Sequence, residues 1–311
     1  MATVFNKKVP EGFEEPTQLP DSEKQAKTWQ IENYRWWEEN PMRYDWADSI
    51  GAKEFTREFF SEIDRRFFEN AHEYLKDKNN LPFNEFVGFK TLRDRDVLEI
   101  GAGLGSHAQL LAEHAKSFCG IDITDYAVRS TRKRIELFGS KADILKMDAE
   151  KMEFPDSSFD FVWSWGVIHH SANTRKVLEE IYRVLRPGGK AVIMVYHRGW
   201  WNYYLTGFLR AFATGDLFKH KSLAQSVQSH TDGALARYYS CAEWRRLTGD
   251  LFDIEWIETR GPKSDVILLP ASATKRLLMH CLPSSLSLFL TRLLRMGTFL
   301  ISSLRKVQTS L

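Results

Sequence analysis

The chain has 311 residues, with 43 basic and 41 acidic side chains and 43% hydrophobic residues. That is enough apolar material for one large domain or two small ones, and it excludes a highly charged disordered chain. A net charge of +2 argues against a dedicated nucleic-acid binder, whose phosphate contacts need a strongly basic balance.

The three cysteines, Cys119, Cys241 and Cys281, stand far apart with no CxxC pair. Neither a disulfide scaffold nor a cysteine zinc site is expected, and a reducing cytosol fits. Residues 1–28 mix Pro10, Pro16 and Pro20 with charges and read as a mobile arm without a secretory core. No apolar run is long enough to span a bilayer. An aromatic cluster, Tyr34, Trp36, Trp37, Tyr44 and Trp46, opens a cap over residues 29–88. Within it Phe55, Phe59, Ile63 and Phe67 recur every fourth residue, which predicts a helix over 53–77 with one apolar stripe.

From Asp96 the pattern alternates. Short apolar runs over 97–100, 118–123, 142–147, 159–165 and 191–196 read as strands. Helical periodicity fills 106–116, 125–137 and 173–185, the last with Val177, Ile181 and Val184 on one face. Strands alternating with helices predict an α/β fold, a Rossmann-like, doubly wound and mostly parallel sheet. Residues 198–250 break the pattern with an aromatic-rich insertion, and Ser240 to Glu243 has the capping-box spacing that starts a helix. Two further strands, 254–257 and 266–269, bring the sheet to seven and close it within 251–270.

Residues 271–311 carry six basic side chains and no acidic one. Over 286–305 the pattern predicts an amphipathic helical segment with a basic edge. It either lies on an anionic membrane surface or packs on this fold or on a twin subunit, as in a homodimer.

The sharpest signal is Glu99-Ile100-Gly101-Ala102-Gly103-Leu104-Gly105, closing one strand and opening a helix. Glycines there let the backbone turn tightly and approach a ligand. Asp122 follows nineteen residues after Gly103 at the end of the next strand, where a carboxylate accepts hydrogen bonds from ribose hydroxyls. A dinucleotide pyrophosphate wants GxGxxG, but the third glycine here is one position early and Ser106 stands in its place. S-adenosylmethionine has an adenosine and no pyrophosphate, so GxGxG suffices, and an NAD(P)-dependent oxidoreductase is disfavoured.

At this point residues 90–197 resemble the class I S-adenosylmethionine-dependent methyltransferases, in the type 11 group that includes ubiquinone-biosynthesis methyltransferases. The pieces are the glycine motif, Gly120-Ile121-Asp122, Met147-Asp148-Ala149-Glu150, Phe154 to Asp160, and Arg183 to Gly189, in order. The resemblance implies a core over 89–197 in which Gly101, Ala102 and Gly103 lie beneath the methionine and ribose, within a motif bounded by Glu99 and Gly105. It implies that Asp122 binds ribose, Ile123 packs on adenine, and Asp148 takes the adenine amino group between Met147 and Ala149. Trp165, Gly166 and His170 would end the fourth strand, where the sulfonium faces the acceptor.

His170, His169, Tyr44 and Tyr196 are the candidates for a general base, needed only if the acceptor loses a proton. The adjacent histidines show no third ligand at a motif spacing, so no metal is expected. Tyr34, Trp37, Trp201 and Tyr204 read as an aromatic lid that excludes water, or as plain cover for the sheet edge. Arg198 could receive a substrate carboxylate or phosphate, or simply be solvated. The expected acceptor is a small, partly apolar or lipid-like molecule and not a nucleic acid. The protein is expected to be cytoplasmic, and peripheral on the membrane if the tail docks there. A non-catalytic S-adenosylmethionine-binding or membrane-associated scaffold is the alternative.

Overall fold

The computed structural model describes residues 9–45, 48–76 and 81–307; Trp46 lies outside them. Helices α1 (Glu23–Glu39), α2 (Arg57–Ala71) and α3 (Asn84–Val87) precede β1 (Asp96–Ile100). Then come α4 (Ser106–His114), β2 (Ser117–Asp122), α5 (Asp125–Phe138), β3 (Asp143–Lys146), β4 (Phe159–Trp165), α6 (Thr174–Val184) and β5 (Leu185–His197). The insertion holds a π-helical turn (Trp200–Thr206), α7 (Gly207–Ala213), α8 (Leu223–Ser229) and β6 (Tyr238–Tyr239). The chain continues through α9 (Cys241–Gly249), β7 (Phe252–Arg260), α10 (Ala273–Cys281), α11 (Ser284–Arg292) and β8 (Phe299–Lys306).

The strands run in the order β3-β2-β1-β4-β5-β8-β7, with the two-residue β6 beside β5. Strands β1 to β5 are parallel, and β8 is antiparallel to both its neighbours. The order reverses between β1 and β4, which leaves a crevice at the C-terminal ends of these strands. Val97, Leu98 and Ile100 of β1 are all buried, as expected for a strand covered on both faces. One core cluster holds Val97, Phe161, Trp163 and Val192; the other holds Leu98, Val162 and Ile193. Alternate residues thus divide between the two faces. The stripe Val177, Ile181 and Val184 of α6 is fully buried in the second cluster, each side chain contributing about 1.5–3 kcal/mol.

The C-terminal expectations need correction. Residues 266–269 form no strand; a 3-10 turn spans Lys263–Val266. The sheet is completed instead by β8, inside the segment expected to be helical. Residues 284–292 are helical as α11, which ends at Arg292; at Gly297 the chain passes so close to Arg260 that a side chain would overlap the Arg260 carbonyl. Ser302 and Ser303, within that segment, are buried. Their hydroxyls find partners across the strand, Ser302 Oγ accepting from Trp244 Nε1 (2.9 Å) and Ser303 Oγ donating to Glu255 (2.6 Å).

The described part of the expected mobile arm packs on the core. Phe13 meets Trp29 edge-on at 5.5 Å, and Leu235 joins them in a small cluster. The Pro16 carbonyl accepts from Tyr238 N (2.9 Å) and the Gln18 carbonyl from Arg237 Nε (2.7 Å). Apolar burial at Phe13 outweighs the polar composition of residues 9–22.

Candidate functional site

A cavity of about 430 Å³ lies at the crevice, within the roughly 300–1,000 Å³ usual for small-ligand sites. Its floor is the turn from β1 into α4. Gly101, Gly103 and Gly105 all have positive φ, +83°, +55° and +82°. At Gly101 a Cβ would also overlap the Val167 side chain, whereas at Gly103 it would meet nothing within 4 Å. Gly101→Ala is therefore expected to destabilise by about 2–5 kcal/mol, adding overpacking to backbone strain. Gly103→Ala should cost about 1 kcal/mol from strain alone. Equal denaturation midpoints for the two variants would contradict this.

Asp122 ends β2 beside the turn. One carboxylate oxygen accepts from Gly103 N (3.1 Å), the other from Thr124 N (2.9 Å) and Thr124 Oγ1 (2.8 Å). Burial nevertheless raises its pKa above the ordinary value. Glu99, next to the last residue of β1, is almost fully buried, and its Oε2 has no hydrogen-bond partner among the described residues. Burial, then the Asp122 charge, holds its pKa well above the usual carboxylate range. His107 Nδ1 lies 3.7 Å from Glu99, and burial lowers the His107 pKa to about 3, so the ring is neutral. An unpaired acceptor on a buried carboxyl that lines a cavity suits a cationic ligand group, which would restore its charge.

On the other side, Asp148 Oδ1 accepts from Glu150 N (2.9 Å) and Gln30 Nε2 (2.8 Å). Gln30 Oε1 in turn accepts from Ala172 N (3.0 Å), so α1 straps across the site. Asn33, one turn further along α1, lines the cavity, its Oδ1 without a partner among the described residues. Ile123, Met147 and Ala149 line the same region.

The far wall is made by Trp165 and Gly166 at the end of β4, with Trp37, Tyr44, His170, Tyr196 and Asp232. His170 Nδ1 lies 2.8 Å from the Leu235 carbonyl. A carbonyl only accepts, so Nδ1 carries a proton. Trp37 stands edge-on to the His170 ring at 5.0 Å. The Tyr196 hydroxyl donates to Asp232 (2.8 Å), and burial holds that phenol protonated.

Five expected site residues lie elsewhere. His169 is fully buried, packed at 4.1 Å on His170 and 4.0 Å on Tyr196, and does not line the cavity. Burial lowers its pKa well below the usual value. The paired histidines sit on a one-turn 3-10 segment, Ile168–His170. Arg198 pairs with Glu243 of the capping box that starts α9. Tyr34 donates to Asp125 (3.0 Å) on the outer side of α1. The Trp201 indole donates to the Asp265 carbonyl (2.6 Å), and Tyr204 is exposed. Sequence reasoning missed Gln30, Asn33, His107 and Asp232. The i, i+3, i+7 series Gln30, Asn33, Trp37 on α1 was the available signal for the first two.

Residues 98–193 match the family described as Methyltransferase domain. The chain is 37% identical over 100 residues to the phthiotriol/phenolphthiotriol dimycocerosates methyltransferase of Mycobacterium tuberculosis, covering 32% of this chain and 36% of that protein. It is 28% identical over 148 residues to the ubiquinone/menaquinone biosynthesis C-methyltransferase UbiE of Cupriavidus taiwanensis, covering 44% and 61%. The chain thus spans less than two thirds of the length of the curated relatives it matches. Among solved structures, a chain of the complex between the Haloferax volcanii Trm112 methyltransferase activator and a methyltransferase superposes with a TM-score of 0.50 at 18% identity, covering 81% of this chain and 96% of that one. That likeness speaks for the fold alone. Residues 98–193 belong to the class I, type 11 group of S-adenosylmethionine-dependent methyltransferase domains.

Proposed function

We propose that the protein transfers a methyl group from S-adenosylmethionine to a small, partly apolar or lipid-like acceptor. The observation that carries the acceptor class is the composition of the cavity beyond the glycine turn. Met42, Phe67, Tyr74, Trp165, Met194 and Phe299 line it, and among the described residues no lysine or arginine does. A phosphorylated or polynucleotide acceptor would leave its charge unpaired there. The two relatives named above, one acting on a dimycocerosate lipid and one in quinone biosynthesis, support the same class.

The chain's residues fit the cofactor. Asp122 would accept from the ribose hydroxyls, Asp148 from the adenine amino group through its Oδ2, and Glu99 would face the methionine ammonium. When bound, S-adenosylmethionine supplies an electrophilic methyl group on a sulfonium and is left as S-adenosylhomocysteine. Trp37 and Tyr44 on the cap wall exclude water from the reacting centre and offer aromatic faces to positive charge. Alignment of the acceptor by these walls can supply roughly 7–11 kcal/mol.

His170 is the general base for an acceptor that must lose a proton. Its Nδ1–H is anchored on the Leu235 carbonyl, which fixes the ring and leaves Nε2 as the basic nitrogen. Tyr196 is tied to Asp232 and serves as a hydrogen-bond donor rather than a base. His170→Ala is expected to lower turnover by about 10²–10⁴-fold with cofactor affinity unchanged. Unchanged turnover would remove His170 from the mechanism.

The test of the function uses methyl-labelled S-adenosylmethionine and extracts of a source cell lacking the protein, partitioned into organic, aqueous and macromolecular phases. Label in the organic phase is the expected result. Label in the macromolecular phase would overturn the acceptor class. Binding of cofactor with no transfer would favour the scaffold alternative.

A further inference from the structure

The molecule carries an apolar surface that the cavity does not explain. Helix α11 is inside out: Ser287 and Thr291 are fully buried, while Leu286, Phe289 and Leu293 face solvent. The inward face is held by polar contacts, Thr259 donating to the Thr291 carbonyl (2.7 Å). On α10 Leu277 is 63% exposed, and Phe212 of α7 and Leu293 just after α11 are each 64% exposed. Monomeric soluble proteins rarely show so continuous an apolar patch without a partner for it.

These elements form one surface. Helices α10 and α11 both pack on the Lys263–Val266 turn, and Lys263 Nζ donates to the Met279 carbonyl of α10 (3.3 Å). The insertion joins through Trp200, whose indole donates to the Leu294 carbonyl (2.9 Å). Arg210 of α7 is close enough to Lys275 of α10 for each charge to act on the other.

The charges around the patch have one sign. Arg210, Lys221, Arg276 and Arg295 are exposed and make no ion pair among the described residues. Over 199–223 and 263–298 the acidic residues are Asp216 and Asp265. Asp216 is buried and bonded to Thr214, Lys219 and His230; Asp265 accepts from Thr298 N and Oγ1 (2.9 and 2.8 Å). Neither offers the surface a free negative charge.

We propose that α7, the Lys263–Val266 turn, α10 and α11 form a platform that docks this protein on an anionic lipid bilayer. Apolar side chains over several short helices, ringed by unpaired cations with Trp200 and Tyr204 exposed among them, match an interface that is hydrocarbon within and anionic at its rim. A second copy is disfavoured, because a two-fold contact would bring the same rim of unpaired cations, Arg210, Arg276 and Arg295, together from both copies. The platform shares a wall with the cavity. Pro262 and Phe299 line the cavity, and their chain neighbours Lys263 and Thr298 hold the platform. The proposal stands whether or not the acceptor is a lipid.

The test is co-sedimentation of the full chain with phosphatidylcholine vesicles, with and without about 30% phosphatidylglycerol, at low and high salt. The chain should pellet with the anionic vesicles and be released by salt. The triple variant Phe212→Asp, Leu277→Asp, Leu293→Asp should lose at least about tenfold in partitioning. So should Arg210→Glu combined with Arg276→Glu, both variants keeping the wild-type melting temperature and S-adenosylhomocysteine affinity. Equal pelleting of all forms, or no pelleting of the wild type at low salt, overturns the proposal. So does a dimer in sedimentation velocity that the triple variant abolishes while vesicles stay unbound, which would assign the face to a second copy.

Discussion

Asp122→Ala is expected to abolish measurable S-adenosylmethionine binding, with affinity falling by at least about 100-fold. Hydrogen bonds to a charged acceptor are worth about 1.5–3 kcal/mol each, and the carboxylate would accept from two ribose hydroxyls. The damage extends beyond the ligand. Asp122 also holds Gly103 N and both polar groups of Thr124, and Thr124 caps α5 through Ala127 N (3.2 Å). Asp122→Asn retains one acceptor oxygen and should lose less, so the pair separates charge from geometry. Isothermal titration with S-adenosylhomocysteine measures both. Binding of Asp122→Ala within tenfold of wild type would mean that the cavity holds its ligand in another way.

Arg237→Ala should be the most destabilising single change outside the glycine turn, by about 3–5 kcal/mol. The guanidinium is 0% exposed and donates to the carbonyls of Gln18 (2.7 Å), Ala172 (2.6 Å) and Ser171. It also lies 5.6 Å from the Phe13 ring and 5.9 Å from that of Trp29. Its removal leaves three acceptors short of a donor, two of them buried, in a protein whose total stability is on the order of 5–15 kcal/mol. The same contacts tie residues 9–22 to the loop after β4, so protease cleavage within 9–22 should rise with the loss. A denaturant midpoint within error of wild type would show that Arg237 is dispensable.

The glycine-turn half of the candidate site was legible because its constraints are local. Gly101 must be glycine for its backbone angle, and Asp122 must end a strand beside it. Both are read from spacing within one βαβ unit. The cap wall was less legible. Gln30 reaches Asp148 across 118 residues of sequence, and no motif records that pairing. Arg198 has the composition of a substrate clamp, but Glu243 takes it, and only the packing of α9 beside the end of β5 brings the two together. The tail was misread where its period is ambiguous. Phe299 to Arg305 satisfies a helical count, but Leu300, Ile301 and Leu304 are all buried in a strand covered on both faces, where alternation vanishes.

The position of β8 has a consequence for how the chain acquires its shape. Lys190 of β5 pairs with Arg305, and Phe252 of β7 pairs with Lys306. The strand that joins β5 to β7 therefore comes after both in sequence. Until residues 299–306 leave the ribosome, β5 presents a long, apolar, unsatisfied edge and β7 has no sheet to join. Such edges recruit other strands. The nascent methyltransferase domain, with its glycine turn, Asp122 and Asp148 already synthesised, stays an open sheet, and the step that closes it is the arrival of its most distant strand.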